Sequence, residues 1–400
     1  MKYLPVSRKI QDIIPALRAL MATTEICPVI KTINCDTLEV YHGQSDKFYD
    51  QLDGKEGIYL KIRKDPDKVI NEFQEELALR KKQVNLIYID GLGLSGVGMT
   101  LEEVDDHLNQ FLKGGTIPHA EPEPVTGRVH NKIAIVTGGA QGFGAGIVEE
   151  LVDQGAYVVI ADINRKIGVA ASRIINSKAG EKKTVFIKTD VTKPDSVKNT
   201  VYETVKEFGG LDLLISNAGV LQAGGLEEMD EKTFDFVTNV NYKGFFICSK
   251  YSIPVMKLQH KYKTDLFMDI IQINSKSGIT GSNKNFAYSG SQFGGIGLTQ
   301  SFALELVKDH IKVNAVCPGN YFEGPLWSDP ENGLFAQYLK TGKVSGARNI
   351  DDVRRFYEKK VPMGRGCKPK DVVKAIYYLI DQKYETGQAI PVTGGQIMLK

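Results

Sequence analysis

The chain opens on apolar positions spaced three and four residues apart. Ile10, Ile13, Ile14, Leu17 and Leu20 share one face at 3.6 residues per turn, which predicts an amphipathic helix. Short apolar runs follow. CPVIKTI, GIYLKI and VNLIYI predict strands, and the periodicity of residues 69–79 predicts a helix between the last two. Residues 1–112 are therefore expected to form a small α/β domain with no role assigned by pattern alone. Within KGGTIPHAEPEPVTGRVHNK there is Gly, Pro and charge but no apolar period, so residues 113–130 are expected to be a linker.

From residue 131 the pattern changes. KIAIVT, YVVIAD, TVFIKTD, LDLLISN, DIIQIN, IKVNAVCP and AIPVT are seven nearly continuous apolar runs, with helical periodicity between most of them. Runs apolar on both faces belong in a parallel sheet covered by helices on both sides. The expected fold class for 131–400 is α/β, a doubly wound parallel sheet of seven strands, with the smaller α/β domain ahead of it. Such sheets take ligands at the carboxyl ends of their strands.

Composition removes several alternatives. Net charge is only +2, which gives no electrostatic case for nucleic acid. No apolar run approaches the roughly 18 residues of a membrane helix, and the N-terminus lacks the uninterrupted apolar stretch of a signal peptide. Five scattered cysteines without a CxxC pair argue against a disulfide framework and against a structural metal. The expectation is a cytoplasmic protein acting on a small molecule, without metal.

The first motif with chemistry follows the strand KIAIVT. Thr137-Gly138-Gly139-Ala140-Gln141-Gly142-Phe143-Gly144 leads into a helix carrying Ile147, Val148, Leu151 and Val152. Glycines there let a pyrophosphate approach the backbone, and the helix N-terminus supplies N–H groups and positive dipole. This is the phosphate loop of a Rossmann fold. The next strand ends in Asp162, 18 residues past Gly144. A carboxylate at that place binds both hydroxyls of an adenosine ribose and repels a 2′-phosphate, which favours NAD over NADP. A second glycine run, Gly91-Leu92-Gly93-Leu94-Ser95-Gly96, also fits G-x-G-x-x-G, but no later strand supplies an acid. It is expected to be a tight strand–helix turn, with Thr100 and Glu103 forming a capping box.

These residues, with several downstream, resemble the short-chain dehydrogenase/reductase family over residues 131–400. Asp190-Val191 matches the family's adenine-contacting position. Ser216-Asn217-Ala218-Gly219 matches its N-N-A-G signature with one change. Asn241 matches the asparagine of its catalytic tetrad, and Ser275 stands 13 residues before Tyr288, the family's serine–tyrosine spacing. Pro318-Gly319 matches the turn near the nicotinamide. The resemblance implies a dinucleotide held by Gly138, Gln141, Gly142, Phe143, Gly144, Asp162, Asp190, Val191, Asn217, Ala218, Gly219, Pro318 and Gly319. It also implies a homotetramer or homodimer through helices near residues 230–256 and 287–308. The segments IIQINSKSG, FGGIGLTQS, VPMGRGC and VTGGQIM resemble the family's sorbitol-6-phosphate dehydrogenase branch, which implies oxidation of a phosphorylated polyol to a ketose phosphate. VNLIYIDGLGLSGVGMTLEE resembles the end of the class II aldolase-like domain of aldolase–dehydrogenase fusions. His42 is the only histidine before His107, so residues 1–112 are not expected to be a working metal-dependent aldolase.

One position departs from the family. Oxidation of an alcohol requires a base, and the pKa of a free tyrosine, near 10, is high for work at neutral pH. The family places a lysine four residues after the tyrosine; here that residue is Gln292. Gln292 can hydrogen-bond a ribose but carries no charge, so weakened turnover, or a catalytically inactive dinucleotide-binding sensor or assembly protein, is the alternative. Lys276 and Lys284 are the nearby cations in sequence. Ser275 is expected to steady the oxyanion and Asn241 to hold a relay water. The apolar face of Phe293, Leu298 and Leu304 is expected to be core or subunit contact. Residues 321–370, expected to form an irregular lid, hold ten Lys or Arg against six Asp or Glu. Lys276, beside Ser275, and Arg365 of this segment are the expected phosphate contacts, with Arg348, Arg354 and Arg355 as further candidates.

Overall fold

In the computed structural model the described residues are 6–22, 28–34, 52, 57–60, 65–80, 84–89, 91–113 and 126–398. The amphipathic pattern at the start forms α1 (Val6–Met21), with Ile10, Ile13, Ile14 and Leu17 fully buried. A four-stranded sheet follows, built from β1 (Val29–Asn34), β2 (Gly57–Leu60), β3 (Leu86–Ile89) and β4 (Gly93–Gly98) in the order β1-β4-β3-β2. Among the described residues, two longer helices accompany it. α2 (Pro66–Leu79) starts with proline at its first turn behind Asp65, whose carboxylate accepts the Asp67 N–H at 3.1 Å. α3 (Leu101–Leu112) is capped by Thr100, whose Oγ1 accepts the Glu103 N–H at 3.1 Å, while Glu103 Oε2 accepts the Met99 N–H at 2.7 Å.

The second glycine run corrects the expectation of a strand–helix turn. Gly91 and Leu92 make a hairpin turn, and residues 93–98 are a strand pairing antiparallel with β3 on one side and β1 on the other. A Cβ on Gly93 would lie 2.1 Å from the Ile33 carbonyl oxygen, so the glycine serves close strand approach and leaves no room for a phosphate. Within the stretch expected to be a linker, residues 114–125 lie outside the described residues.

The seven apolar runs form β5 (Ile133–Thr137), β6 (Tyr157–Asp162), β7 (Thr184–Lys188), β8 (Leu213–Ser216), β9 (Met268–Ile273), β10 (Ile311–Pro318) and β11 (Ala389–Val392). All pair in parallel, in the order β11-β10-β9-β8-β5-β6-β7. The order reverses between β5 and β8, and the crevice above that point is where a doubly wound sheet binds its ligand. Intervening helices are α4 (Gly142–Asp153), α5 (Arg165–Ala179), α6 (Pro194–Phe208), α7 (Glu231–Thr238), α8 (Gly244–Tyr262) and α9 (Phe286–Leu306). A π-helical turn, Asn239–Lys243, joins α7 to α8 and carries Asn241. Residues 321–370 are more regular than expected: α10 (Pro325–Ser328), α11 (Leu334–Lys340) and α12 (Ile350–Lys359) pack around Trp327, and α13 (Pro369–Asp381) returns to the sheet.

The two sheets share one hydrophobic cluster. Ile10, Ile14, Leu17, Ile30 and Leu108 lie in it with Tyr157, Val205, Phe208, Leu211 and Met256, and α1 packs on α6 and α8. At the centre sits Arg18, 1% exposed. It donates to both Asp212 carboxylate oxygens at 2.9 and 2.8 Å, to the Pro28 carbonyl at 2.9 Å and to the Asn131 carbonyl at 3.1 Å. Asp212 also accepts the Ile133 N–H at 2.8 Å, so the same carboxylate holds the start of β5.

Candidate active site

The loop after β5 has its shape because three glycines and a threonine fit nothing else there. Gly138 has φ +62°, where a side chain is strained, and a Cβ would lie 2.9 Å from the Ala218 Cα. A Cβ on Gly144 would lie 2.0 Å from the Gly138 carbonyl oxygen, so α4 can begin this close to the turn only with hydrogen there. Gly142 opens α4 and lines the cleft. Thr137 Oγ1 accepts the N–H groups of Asn217 and Ala218, both at 3.0 Å. Asn217 Nδ2 donates to the carbonyls of Thr137 and Gly138, both at 3.0 Å. Asn217 thus bolts the loop after β8 to the loop after β5.

The cleft above these loops has a volume of about 870 Å³. Gly138, Gln141, Gly142 and Phe143 form its floor, and Phe143 packs on Tyr321 with ring centroids 5.0 Å apart. Asp162 ends β6 in the cleft wall. Its Oδ1 accepts the Asn164 N–H at 2.9 Å and its Oδ2 the Ala140 N–H at 3.1 Å. Asp190 and Val191 line the same end, the Asp190 carboxylate accepting from the Thr192 N–H at 2.9 Å and hydroxyl at 2.7 Å. Asn217, Ala218, Gly219, Pro318 and Gly319 complete the wall. Of the dinucleotide residues expected from sequence, Gly144 alone does not face the cleft; it packs beneath. A glycine loop in which a Cβ on Gly138 or Gly144 would clash, an open helix N-terminus and a strand-end carboxylate fit a dinucleotide.

Ser275, Tyr288, Gln292 and Asn241 converge at the other end of the cleft. Ser275 caps the short 3-10 turn Lys276–Gly278, accepting the Ser277 N–H at 3.1 Å. Tyr288 and Gln292 lie one turn apart on α9. Burial pushes the Tyr288 phenol above its ordinary value, and hydrogen bonds to the side chains of Ser275 and Gln292 pull it partly back. Gln292 is buried, and Asn274 Nδ2 donates to its backbone carbonyl at 2.9 Å. Asn241 departs from a simple helical position. In the π turn its Oδ1 accepts the Val220 N–H at 2.8 Å, and its Nδ2 donates to the Val220 carbonyl at 2.9 Å and Ser291 Oγ at 3.1 Å. Its amide is engaged in fastening the loop after β8.

The cationic candidates divide. Lys276 lines the cleft. Arg365 does not: Asp371 receives it at 2.6 and 2.9 Å, so the expected phosphate contact is a surface ion pair. Arg354 pairs with Glu358 and Arg355 with Asp352, and neither they nor Arg348 line the cleft. Lys284 donates to the Thr341 carbonyl at 2.9 Å and lies 3.7 Å from Glu228. On α9, Leu298 packs on the core while Phe293 and Leu304 are exposed, so these two are not core residues. Sequence reasoning missed Lys343, Tyr338, Tyr357 and Asn285, which line the same end of the cleft. Lys343, Tyr338 and Tyr357 sit on lid elements with no spacing motif, the two tyrosines packed on Trp327, while Asn285 caps the start of α9.

Residues 132–326 match the family model described as short chain dehydrogenase. The chain is 34% identical over 270 residues to sorbitol-6-phosphate 2-dehydrogenase of Escherichia coli strain K12, covering 67% of this chain and 99% of that one. It is 33% identical over 270 residues to L-2,3-butanediol dehydrogenase of Corynebacterium glutamicum, again covering 67% and 99%. Among solved structures it resembles sorbitol-6-phosphate 2-dehydrogenase of Erwinia amylovora, with TM-score 0.60 and 37% identity over 66% of this chain and all of that one. With the seven-stranded parallel sheet, the glycine loop and the Ser275–Tyr288 pair in place, these similarities make the chain a member of the short-chain dehydrogenase family, whose members are oxidoreductases.

Proposed function

We propose that this protein is an NAD-dependent oxidoreductase that interconverts a phosphorylated polyol of the sorbitol 6-phosphate type with its ketose. The observation that carries the reading is Tyr288, half-buried in the cleft and hydrogen-bonded by Ser275 at the end opposite Asp162. Bound along the floor, the dinucleotide supplies the hydride acceptor. Tyr288 Oη takes the hydroxyl proton of the substrate, and Ser275 Oγ holds the same oxygen as charge develops. Asp162, fixed by two backbone N–H groups, presents its carboxylate to a ribose and disfavours a 2′-phosphate, which supports NAD. The similarity to a sorbitol-6-phosphate 2-dehydrogenase supports the substrate class. Exposed Phe234, Phe246, Phe293 and Leu304 on α7, α8 and α9 support self-association. For the N-terminal region, His107 is a core residue whose Nδ1 lies 2.8 Å from the Val97 carbonyl, which supports a non-catalytic role; His42 lies outside the described residues.

A second reading is favoured by Gln292. With an amide where a cation would lower the Tyr288 pKa, the cleft can hold a dinucleotide without efficient turnover. The deciding experiment follows NADH formation with D-sorbitol 6-phosphate beside a calorimetric titration with NAD. Turnover with saturation supports the dehydrogenase. NAD binding without turnover overturns it in favour of the non-catalytic binder, and preference for NADP overturns the role given to Asp162.

A further inference from the structure

Two lysines stand at the catalytic end of the cleft without an acidic partner among the described residues. Lys276 follows Ser275 in the 3-10 turn after β9, and Lys343 follows α11 in the lid. Both are half-buried and line the cleft. Among the described residues, neither has a carboxylate within ion-pair distance. Lys343 Nζ sits 4.2 Å from the centre of the Tyr338 ring, and in the amide orientation that satisfies its neighbours the Asn285 carbonyl accepts it at 2.8 Å. The surroundings are cationic as well. Lys360, just past the end of α12, acts on both ammonium groups, and Lys284 acts on Lys343. Among the described residues, the acid paired in this group is Glu228, 3.7 Å from Lys284. Asp329 also lines the cleft, with its carboxylate accepting the N–H groups of Glu331 at 3.0 Å and Asn332 at 2.7 Å. The remaining titratable groups here are the phenols of Tyr288, Tyr338 and Tyr357.

A solvated surface lysine would not be held this way. Burial first, then the Lys360 charge, lowers Lys276 to about 8, and burial followed by Lys276, Lys360 and Lys284 lowers Lys343 to about 8. Like charges gathered in a low dielectric are destabilising until a counter-charge arrives. Two cations facing one cavity match a dianion better than a single negative charge. We infer that Lys276 and Lys343 form an anion subsite that holds the phosphate of the substrate while its alcohol carbon lies at Tyr288. The inference rests on the dehydrogenase reading for the position of the alcohol, but not for the anion.

The test has two arms. In the first, inorganic phosphate is titrated calorimetrically into the full chain without dinucleotide. In the second, D-fructose 6-phosphate and D-fructose are titrated into the chain carrying NADH. Lys276→Gln and Lys343→Gln are each expected to weaken inorganic phosphate and fructose 6-phosphate by about 10–100-fold, as for loss of a charged hydrogen bond. Fructose and NADH should bind as before, and Lys343→Arg should retain the phosphate. Affinity for the phosphate should fall as pH rises through about 8, where the lysines lose their protons. Lys276→Gln, which removes a half-buried charge with no acidic partner among the described residues, should leave thermal stability equal or higher. Unchanged phosphate affinity in both Gln variants overturns the subsite. Loss of NADH binding in the wild type overturns the dehydrogenase reading instead, and the inorganic phosphate arm still decides the subsite.

Discussion

At position 292 an uncharged amide sits one helical turn from a half-buried tyrosine. Burial raises the Tyr288 phenol, so in the free cleft the base form accumulates only above its ordinary value near 10. Alcohol oxidation should therefore climb with pH across the neutral range without a plateau. Gln292→Lys places a cation beside the phenol, which lowers its pKa and moves that rise toward neutrality. The expected gain in turnover at pH 7.5 is about 10²–10⁴-fold, the usual worth of a well-placed general base. A pH–rate profile for both proteins checks this; superimposable profiles would mean that position 292 does not limit the rate. At the opposite end of the cleft, Asp162→Ser removes the carboxylate from the ribose position. The ratio of NAD to NADP dissociation constants should move toward NADP by tenfold or more, on the order of one charged hydrogen bond. An unmoved ratio would falsify the assignment of cofactor choice to that carboxylate.

At the scale of elements, the turn between β5 and α4 is the most constrained. Gly144→Ala would force a Cβ against the Gly138 carbonyl at 2.0 Å and the Asn217 amide nitrogen at 2.6 Å. Backbone cannot yield there without moving the helix, so a loss of about 1–3 kcal/mol of stability is expected together with loss of dinucleotide binding. Denaturant unfolding and calorimetry read the two effects separately. The seven strands of the large sheet were legible because parallel strands buried on both faces are apolar without interruption. β4 was not legible. Its GLSGVG sequence has the glycines of a turn, yet it is a strand because β1 and β3 both need a close partner. The lid helices were also missed, since α12 is amphipathic only against a small local core around Trp327 and Val353.

At the scale of the molecule, Arg18 and Asp212 join segments 194 residues apart inside one core. Burial alone would push the Asp212 carboxyl up; the Arg18 guanidinium, with Lys132 and the Ile133 N–H, holds it below the ordinary range. Arg18→Met should cost about 3–5 kcal/mol, because it leaves a carboxylate buried without a partner. The sign with pH follows from the lowered value. The stabilisation is present above the unfolded pKa near 4 and is lost as pH falls through the lower folded value. Guanidinium denaturation at pH 7 and at pH 3 should therefore show a larger gap between wild type and variant at pH 7. An equal gap at both would mean that the ion pair is not the cause.

The sequence by itself determined what local spacing encodes. That covers the parallel sheet from its apolar runs, the dinucleotide loop from glycines placed between a strand and a helix, and the Ser275–Tyr288 pair from its interval. It also exposed Gln292, because one helical turn fixes which residue faces Tyr288. Tertiary structure decided what depends on distant partners. It placed Arg365 against Asp371 and away from the cleft, and it brought Lys343 beside Lys276 across the lid. It also set Arg18 against Asp212, so that the N-terminal elements share the core of the large sheet. A charge in sequence carries no mark of whether a carboxylate, a carbonyl or an open cavity will face it; only the packing of separate elements supplies that partner.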